Sequence, residues 1–199
     1  MSRTSKTWWG KSFIESLEAF TDPGRLSRGR AYRSDHRIKR WDIVSGQVTA
    51  KIRGNANPYF GVYKEPTYTA SLQMKSISER QWKKLIASIN ENAAFICKLM
   101  MNEMPDDIEE SFEALGLHLL PDSSQDFKVE CSCPDWSVPC KHIAGVCYRL
   151  EELLDDDPFL LFELRGLSRD RLHQELASSP LGKVLLQSIK SKSVSPPLY

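Results

Sequence analysis

Within one short run, C-S-C-P-D-W-S-V-P-C-K-H, the chain carries Cys131, Cys133, Cys140 and His142: a Cys-x-Cys pair, six residues, then a Cys-x-His pair. Thiolate and imidazole are the ligands that zinc, borderline soft and without a d-electron geometry of its own, accepts into a tetrahedral shell. A shell closed by four protein ligands leaves no position for a catalytic water, so the chemistry expected here is structural. The chain has five cysteines, an odd number. With this spacing they answer to metal binding in a reducing compartment better than to a disulfide framework.

Geometry constrains the elements that must carry these ligands. In a strand Cys131 and Cys133 share a face but lie ~6.5 Å apart at Cα, so a bend at Pro134 has to help both sulfurs reach one ion at ~2.3 Å. On a continuous helix Cys140 and His142 would point about 200° apart. Cys140 is therefore expected just before a helix and His142 in its first turn, a start that Pro139 favours. Asp126 to Cys131 alternates like a strand, and Ile143, Cys147, Leu150 and Leu154 form the inner stripe of the emerging helix. Lys128, Lys141 and the positive helix end would offset a net site charge of about −1. Cys147 and Cys97 read as core thiols. Trp136, between the ligand pairs, reads as a lid over the metal or as an exposed contact, the lid being preferred because an apolar shell protects thiolates.

Elsewhere Trp9, Phe13, Leu17 and Phe20 recur at helical spacing until Asp22-Pro23-Gly24. The basic run after Gly24 suggests a loop or short helix. Strands are expected at Ile38 to Val44, Val48 to Arg53, Tyr59 to Tyr63 and Tyr68 to Met74, as an antiparallel meander of three or four. Ser78 to Gln81 is a capping box, and Trp82, Leu85, Ile86, Ile89, Ala93, Ile96, Leu99 and Met100 continue one long helix to about Glu103. Pro105 and the acids after it start another, which Gly116 closes. Past Asp157-Pro158 lie one or two short helices, and 191–199 reads as a mobile tail. The expectation is an α+β protein: a small antiparallel sheet with helices, followed by a zinc-stapled hairpin-plus-helix finger. Four sections follow: 1–76 basic helix plus strands, 77–118 helical, 119–165 the finger, and 166–199 a helical extension and tail.

The net charge of +1 conceals 18 Lys+Arg against 8 Asp+Glu in residues 1–100, and 9 against 18 in residues 101–199. Such asymmetry suggests a basic surface for nucleic acid beside an acidic one. The candidate phosphate contacts are Arg25, Arg28, Arg30, Arg33, Arg37, Lys39, Arg40, Lys51, Arg53 and Lys141. Tyr32, Tyr59, Phe60 and Tyr63 read first as sheet-core packing and second as faces on which bases could stack. No apolar run reaches the ~18 residues of a membrane span, and the N-terminus has no secretory signal pattern, so the cytoplasm is expected. His36, His118 and His173 are isolated from any nucleophile pattern, and no phosphate-cradling glycine motif occurs. No enzymatic activity is expected.

The ligand run with P-D-W, P-C-K-H and the apolar helix after it resembles the SWIM zinc finger. R-G-R-A-Y-R-S, V-T-A-K-I-R-G and D-P-F-L-L-F-E-L-R-G extend the resemblance to stand-alone bacterial SWIM proteins over residues 8 to 170. That resemblance implies zinc as cofactor, DNA or protein contacts, and association with Swi/Snf-class ATPases. The expected function is a non-enzymatic adaptor that binds DNA or RNA, DNA favoured, and a larger nucleic-acid machine. A pure protein-interaction subunit and a nuclease or transposase accessory enzyme are the rivals.

Overall fold

A computed structural model describes residues 7–19 and 21–192. Phe20 of the expected first helix and 193–199 of the expected tail lie outside the described residues. In chain order the elements begin with α1 (Trp8–Ala19), α2 (Pro23–Arg30), β1 (Ile38–Val44), β2 (Gln47–Arg53) and β3 (Thr67–Met74). There follow α3 (Glu79–Ile89), α4 (Ala93–Met100), α5 (Ile108–Glu113), β4 (Phe127–Cys131) and α6 (Lys141–Asp156). The last elements are α7 (Leu160–Leu164), α8 (Arg169–Ser178) and α9 (Pro180–Lys192). They gather into two compact units, one of residues 1–76 and 120–165 and one of residues 77–119 and 166–199.

The first unit holds an antiparallel sheet in the order β1-β2-β3-β4. Alternation does the sorting: Val48, Ala50 and Ile52 of β2 and Ala70, Leu72 and Met74 of β3 are buried, and their strand neighbours face outward. Ser45 and Gly46 close the first hairpin with φ of 51° and 75°, the left-handed pair that matches strand twist in a two-residue turn. The strand that leads into the metal ligands is the sheet's fourth, with Cys131 opposite Ala70 and Val129 opposite Leu72. The finger is thus continuous with the sheet.

Helices α1 and α2 each pack on α6, and α6 lies against β3 and β4. Trp9 Nε1 donates to the Leu154 carbonyl at 2.7 Å, and the Phe13 ring meets Phe127 edge-on. Helix α2 is capped by Asp22, whose side chain accepts from the Arg25 N–H, with Pro23 at its first position. It approaches α6 so closely that a Cβ on Gly29 would lie 2.4 Å from the Ala144 Cβ. Arg165, 3% exposed, donates to the carbonyls of Lys75 and Leu120 and pairs with Asp126 at 3.4 Å.

Two expectations are corrected. Tyr59 to Tyr63 is not a strand: Pro58–Phe60 is a single 3-10 turn, Asn57 caps it through the Tyr59 N–H, and Gly61 leaves it with φ of 71°. The proline, the capping Asn and the left-handed glycine outweigh the β propensity of Tyr and Phe. In the second unit the single helix to Glu103 is two helices, because Asn92 accepts from the N–H groups of Ala94 and Phe95 and starts a new one. The apolar spacing runs on across that break because both helices bury the same kind of stripe, including Trp82, Leu85, Ile89, Ile96 and Leu99.

Candidate metal centre

The ligand atoms of Cys131, Cys133, Cys140 and His142 all lie within 4.8 Å of one another. His142 Nδ1 is 3.9 Å from both Cys131 Sγ and Cys140 Sγ. A tetrahedral ion with Zn–S of ~2.3 Å and Zn–N of ~2.0 Å sets such atoms ~3.6–3.8 Å apart, so the group fits one zinc.

Local structure explains the convergence. Cys131 ends β4 on the buried face, and Ser132 then grips the start of β3: its N–H donates to the Thr69 carbonyl and its Oγ accepts from the Thr69 N–H, both at 2.9 Å. The chain bends at Cys133 and Pro134 as the spacing requires. Cys140 is the N-cap of α6, extended at φ −77° and ψ 170°, and His142 is the second helical residue. The intervening loop is strapped to α2, since Arg25 donates to Asp135 Oδ2 at 3.0 Å and to Ser137 Oγ at 2.8 Å. Burial pushes the Asp135 carboxyl up, but the Ser137 N–H and the Arg25 charge hold it below its ordinary value.

The pKa of the Cys140 thiol is lowered: a hydrogen bond from Cys131 favours its thiolate against burial, aided by His142 and the Ile143 N–H at the helix start. Burial raises Cys133, and the same bond to Cys140 raises Cys131. Cys147, fully buried among α6 neighbours, is pushed up to about 12 by desolvation and stands outside the ligand group, as a core thiol should. Cys97 is half-buried on α4.

The wall of the site differs from the expected one. Trp136 is 88% exposed and is not a lid, because its loop turns outward. The rings that flank His142 are Tyr32 and Tyr68, at 4.9 Å and 4.8 Å between centroids. Tyr68, two residues before Ala70 on the same strand face, has its hydroxyl pKa raised by burial and by Cys133 and Cys131. That register, once the β3–β4 pairing is known, was its only signal. Lys128 does not serve as a counter-charge: strand alternation turns it to the outer face, where it pairs with Glu130. Lys141 does lie near the site, its Nζ 5.3 Å from the Tyr32 ring centre, with the Arg37 guanidinium at 5.0 Å.

The candidate phosphate contacts separate into two sets. Arg25 is engaged with Asp135, Arg30 with Glu18, Arg33 with Glu152 and Arg53 with Glu65. Arg37 donates to the carbonyls of Arg53 and Gly54. Arg28, Lys39, Arg40 and Lys51 are exposed, Arg40 beside Asp42 and Lys51 bonded to Thr69. The asymmetry between the chain's halves is consumed largely in folding: the first unit combines 14 Lys+Arg and 6 Asp+Glu of residues 1–76 with 4 and 10 of residues 120–165. Of the four aromatics, Tyr32 is buried, whereas Tyr59, Phe60 and Tyr63 are exposed and do not join the core.

The SWIM zinc finger family model matches residues 118–151, the stretch that contains β4, all four ligands and the first turns of α6. Residues 118–151 of the chain are a SWIM zinc finger. The chain is 34% identical over 195 residues to the uncharacterized protein Rv2102 of Mycobacterium tuberculosis, across 98% of this chain and 67% of that one, and the two belong to one family. No solved structure matches. The SWIM finger binds zinc, and its Cys3His group is the cluster that could hold it. No helix among the described residues is long and apolar enough to cross a membrane.

Proposed function

We propose that this SWIM protein is a cytoplasmic, non-enzymatic adaptor in which Cys131, Cys133, Cys140 and His142 ligate one structural zinc and brace a nucleic-acid-binding unit, DNA being the favoured ligand. The observation that carries the reading is the closed Cys3His group at the junction of β4 and α6, in a unit that keeps Arg28, Lys39, Arg40 and Lys51 exposed. Four protein ligands leave no open metal position for turnover. Because the sequence has no phosphate-cradling glycine loop, a motor would be another chain, of the Swi/Snf class that the SWIM resemblance implies.

Fluorescence anisotropy with labelled single-stranded and duplex oligonucleotides across roughly 50–200 mM salt tests it. Affinity should fall linearly on a log–log plot, and Arg28→Glu or Lys39→Glu should each reduce the slope by about 1. Added magnesium or manganese should produce no cleavage. The second reading, a pure protein-interaction subunit, draws support from the internal pairing of Arg25, Arg30, Arg33 and Arg53. Absence of salt-dependent nucleic-acid binding would favour it.

A further inference from the structure

The start of β1, the end of β2, the start of β3 and the end of β4 all lie at one end of the sheet, since Ile38 pairs with Ile52, Arg53 with Thr67 and Cys131 with Ala70. Residues 54–66 and the finger loop 132–139 therefore leave the sheet at that same end. Tyr68 joins their bases: its ring lies beside His142, and a Cβ on Gly54 would meet that ring at 2.6 Å.

Both loops expose large aromatics. Tyr59 is 88% exposed, Tyr63 77% and Trp136 88%, with Phe60 partly so. The turn that presents the first two is well fixed. Asn57 and Val62 exchange backbone bonds at 2.7 Å and 3.1 Å, Asn57 caps the turn, and the Tyr59 and Phe60 rings meet edge-on at 5.1 Å. Rings held outward on an ordered turn form a surface suited to a ligand.

The charge around them is positive. Arg37, Lys39, Arg40, Lys51, Arg53 and Lys64 belong to the strand ends and loop at this end of the sheet, where Asp42 pairs with Arg40 and Glu65 with Arg53. Arg40 and Lys51 are directly opposite on neighbouring strands, and both are exposed. A phosphate there would compete with Asp42, which pairs with Arg40 at 2.7 Å, for the two cations. On the same outward face Lys51 bonds Thr69, and Thr49, Thr67 and Ser71 add hydroxyls, with Glu130 opposite Ser71 and paired with Lys128.

We infer that this sheet end and the adjoining outer face bind single-stranded nucleic acid, with phosphates at Arg40 and Lys51 and unstacked bases on Tyr59, Tyr63 and Trp136. The inference rests on the nucleic-acid reading above and sharpens it from duplex or single strand to single strand. In a duplex the bases stack on one another and offer edges to the grooves, whereas a single strand presents open faces to exposed rings. A protein partner would use the aromatics but has no need of the facing cations.

The test uses the full-length zinc-loaded protein with a fluorescein-labelled mixed-sequence single strand and the matching duplex. The single strand should bind at least about tenfold more tightly; Tyr59→Ala and Tyr63→Ala should each weaken it about tenfold, and Tyr59→Phe should retain wild-type binding. Arg40→Gln with Lys51→Gln should flatten the salt dependence for the single strand. These side chains are exposed, so unchanged zinc content and circular dichroism establish that the variants fold. Duplex binding as tight as single-strand binding, or tyrosine variants without effect, overturns this inference and leaves the broader one standing. Loss of a protein partner alone in the tyrosine variants also overturns it. Binding to neither probe removes both readings.

Discussion

The Tyr32 ring stands edge-on to the His142 imidazole, centroids 4.9 Å apart and planes at 87°, and thereby joins the basic segment after α2 to the zinc ligands. Arg37, Lys141 and His142 all meet this ring, so Tyr32 packs on the ligand and holds two cations against itself. Residues that orient a ligating histidine tune metal affinity by about 10–100-fold.

Tyr32→Leu should therefore weaken zinc binding by about tenfold or more, read by competition with a chromophoric chelator. Tyr32→Phe should not, because the Tyr32 hydroxyl is buried without a hydrogen-bond partner among the described residues. Equal zinc affinity in wild type and Tyr32→Leu would remove the ring from the account.

Gly29 is the contact point of α2 on α6, and an added methyl there would press on both the Cβ and the backbone of Ala144. Gly29→Ala should cost about 1–3 kcal/mol in denaturant unfolding, since backbone cannot yield as a flexible side chain can. Combining it with Ala144→Gly should return part of that loss, a coupling that a double-mutant cycle measures.

Asp126 has its pKa lowered: burial acts upward, but the Asp122 N–H and the Arg165 charge outweigh it. A carboxyl lowered in the folded state contributes stability that is complete above its unfolded value of about 3.9 and is lost as pH falls through its folded value. Wild type should exceed Asp126→Asn by a constant margin between about pH 5 and 7, and the margin should shrink below about pH 4. Unfolding midpoints across that range check it, and a margin that grows in acid would reverse the assigned sign.

Much of the site was legible in local sequence. Cys-x-Cys and Cys-x-His named the ligand group, the helical phase difference placed Cys140 before α6, and alternation in V-T-A-K-I-R picked out the buried face of β2. What escaped depends on contacts distant in sequence. Tyr68 reaches the metal site only through the β3–β4 register, and Arg25 straps the finger loop only because α2 docks there. The charge asymmetry read as an exposed basic face, yet the chain's acidic half folds back onto it, with Arg33 at Glu152 and Arg149 at Asp35. Trp136 illustrates the same limit from the other side: an apolar residue between ligand pairs invites burial, and only the outward turn of its loop shows that it is exposed.

Metal content of the purified chain, by elemental analysis alongside Cys140→Ser and Cys97→Ser variants, tests the central claim most directly. One zinc per chain in wild type and Cys97→Ser, and loss of it in Cys140→Ser, is the predicted result. Substoichiometric zinc in wild type, or full zinc retained by Cys140→Ser, would contradict it.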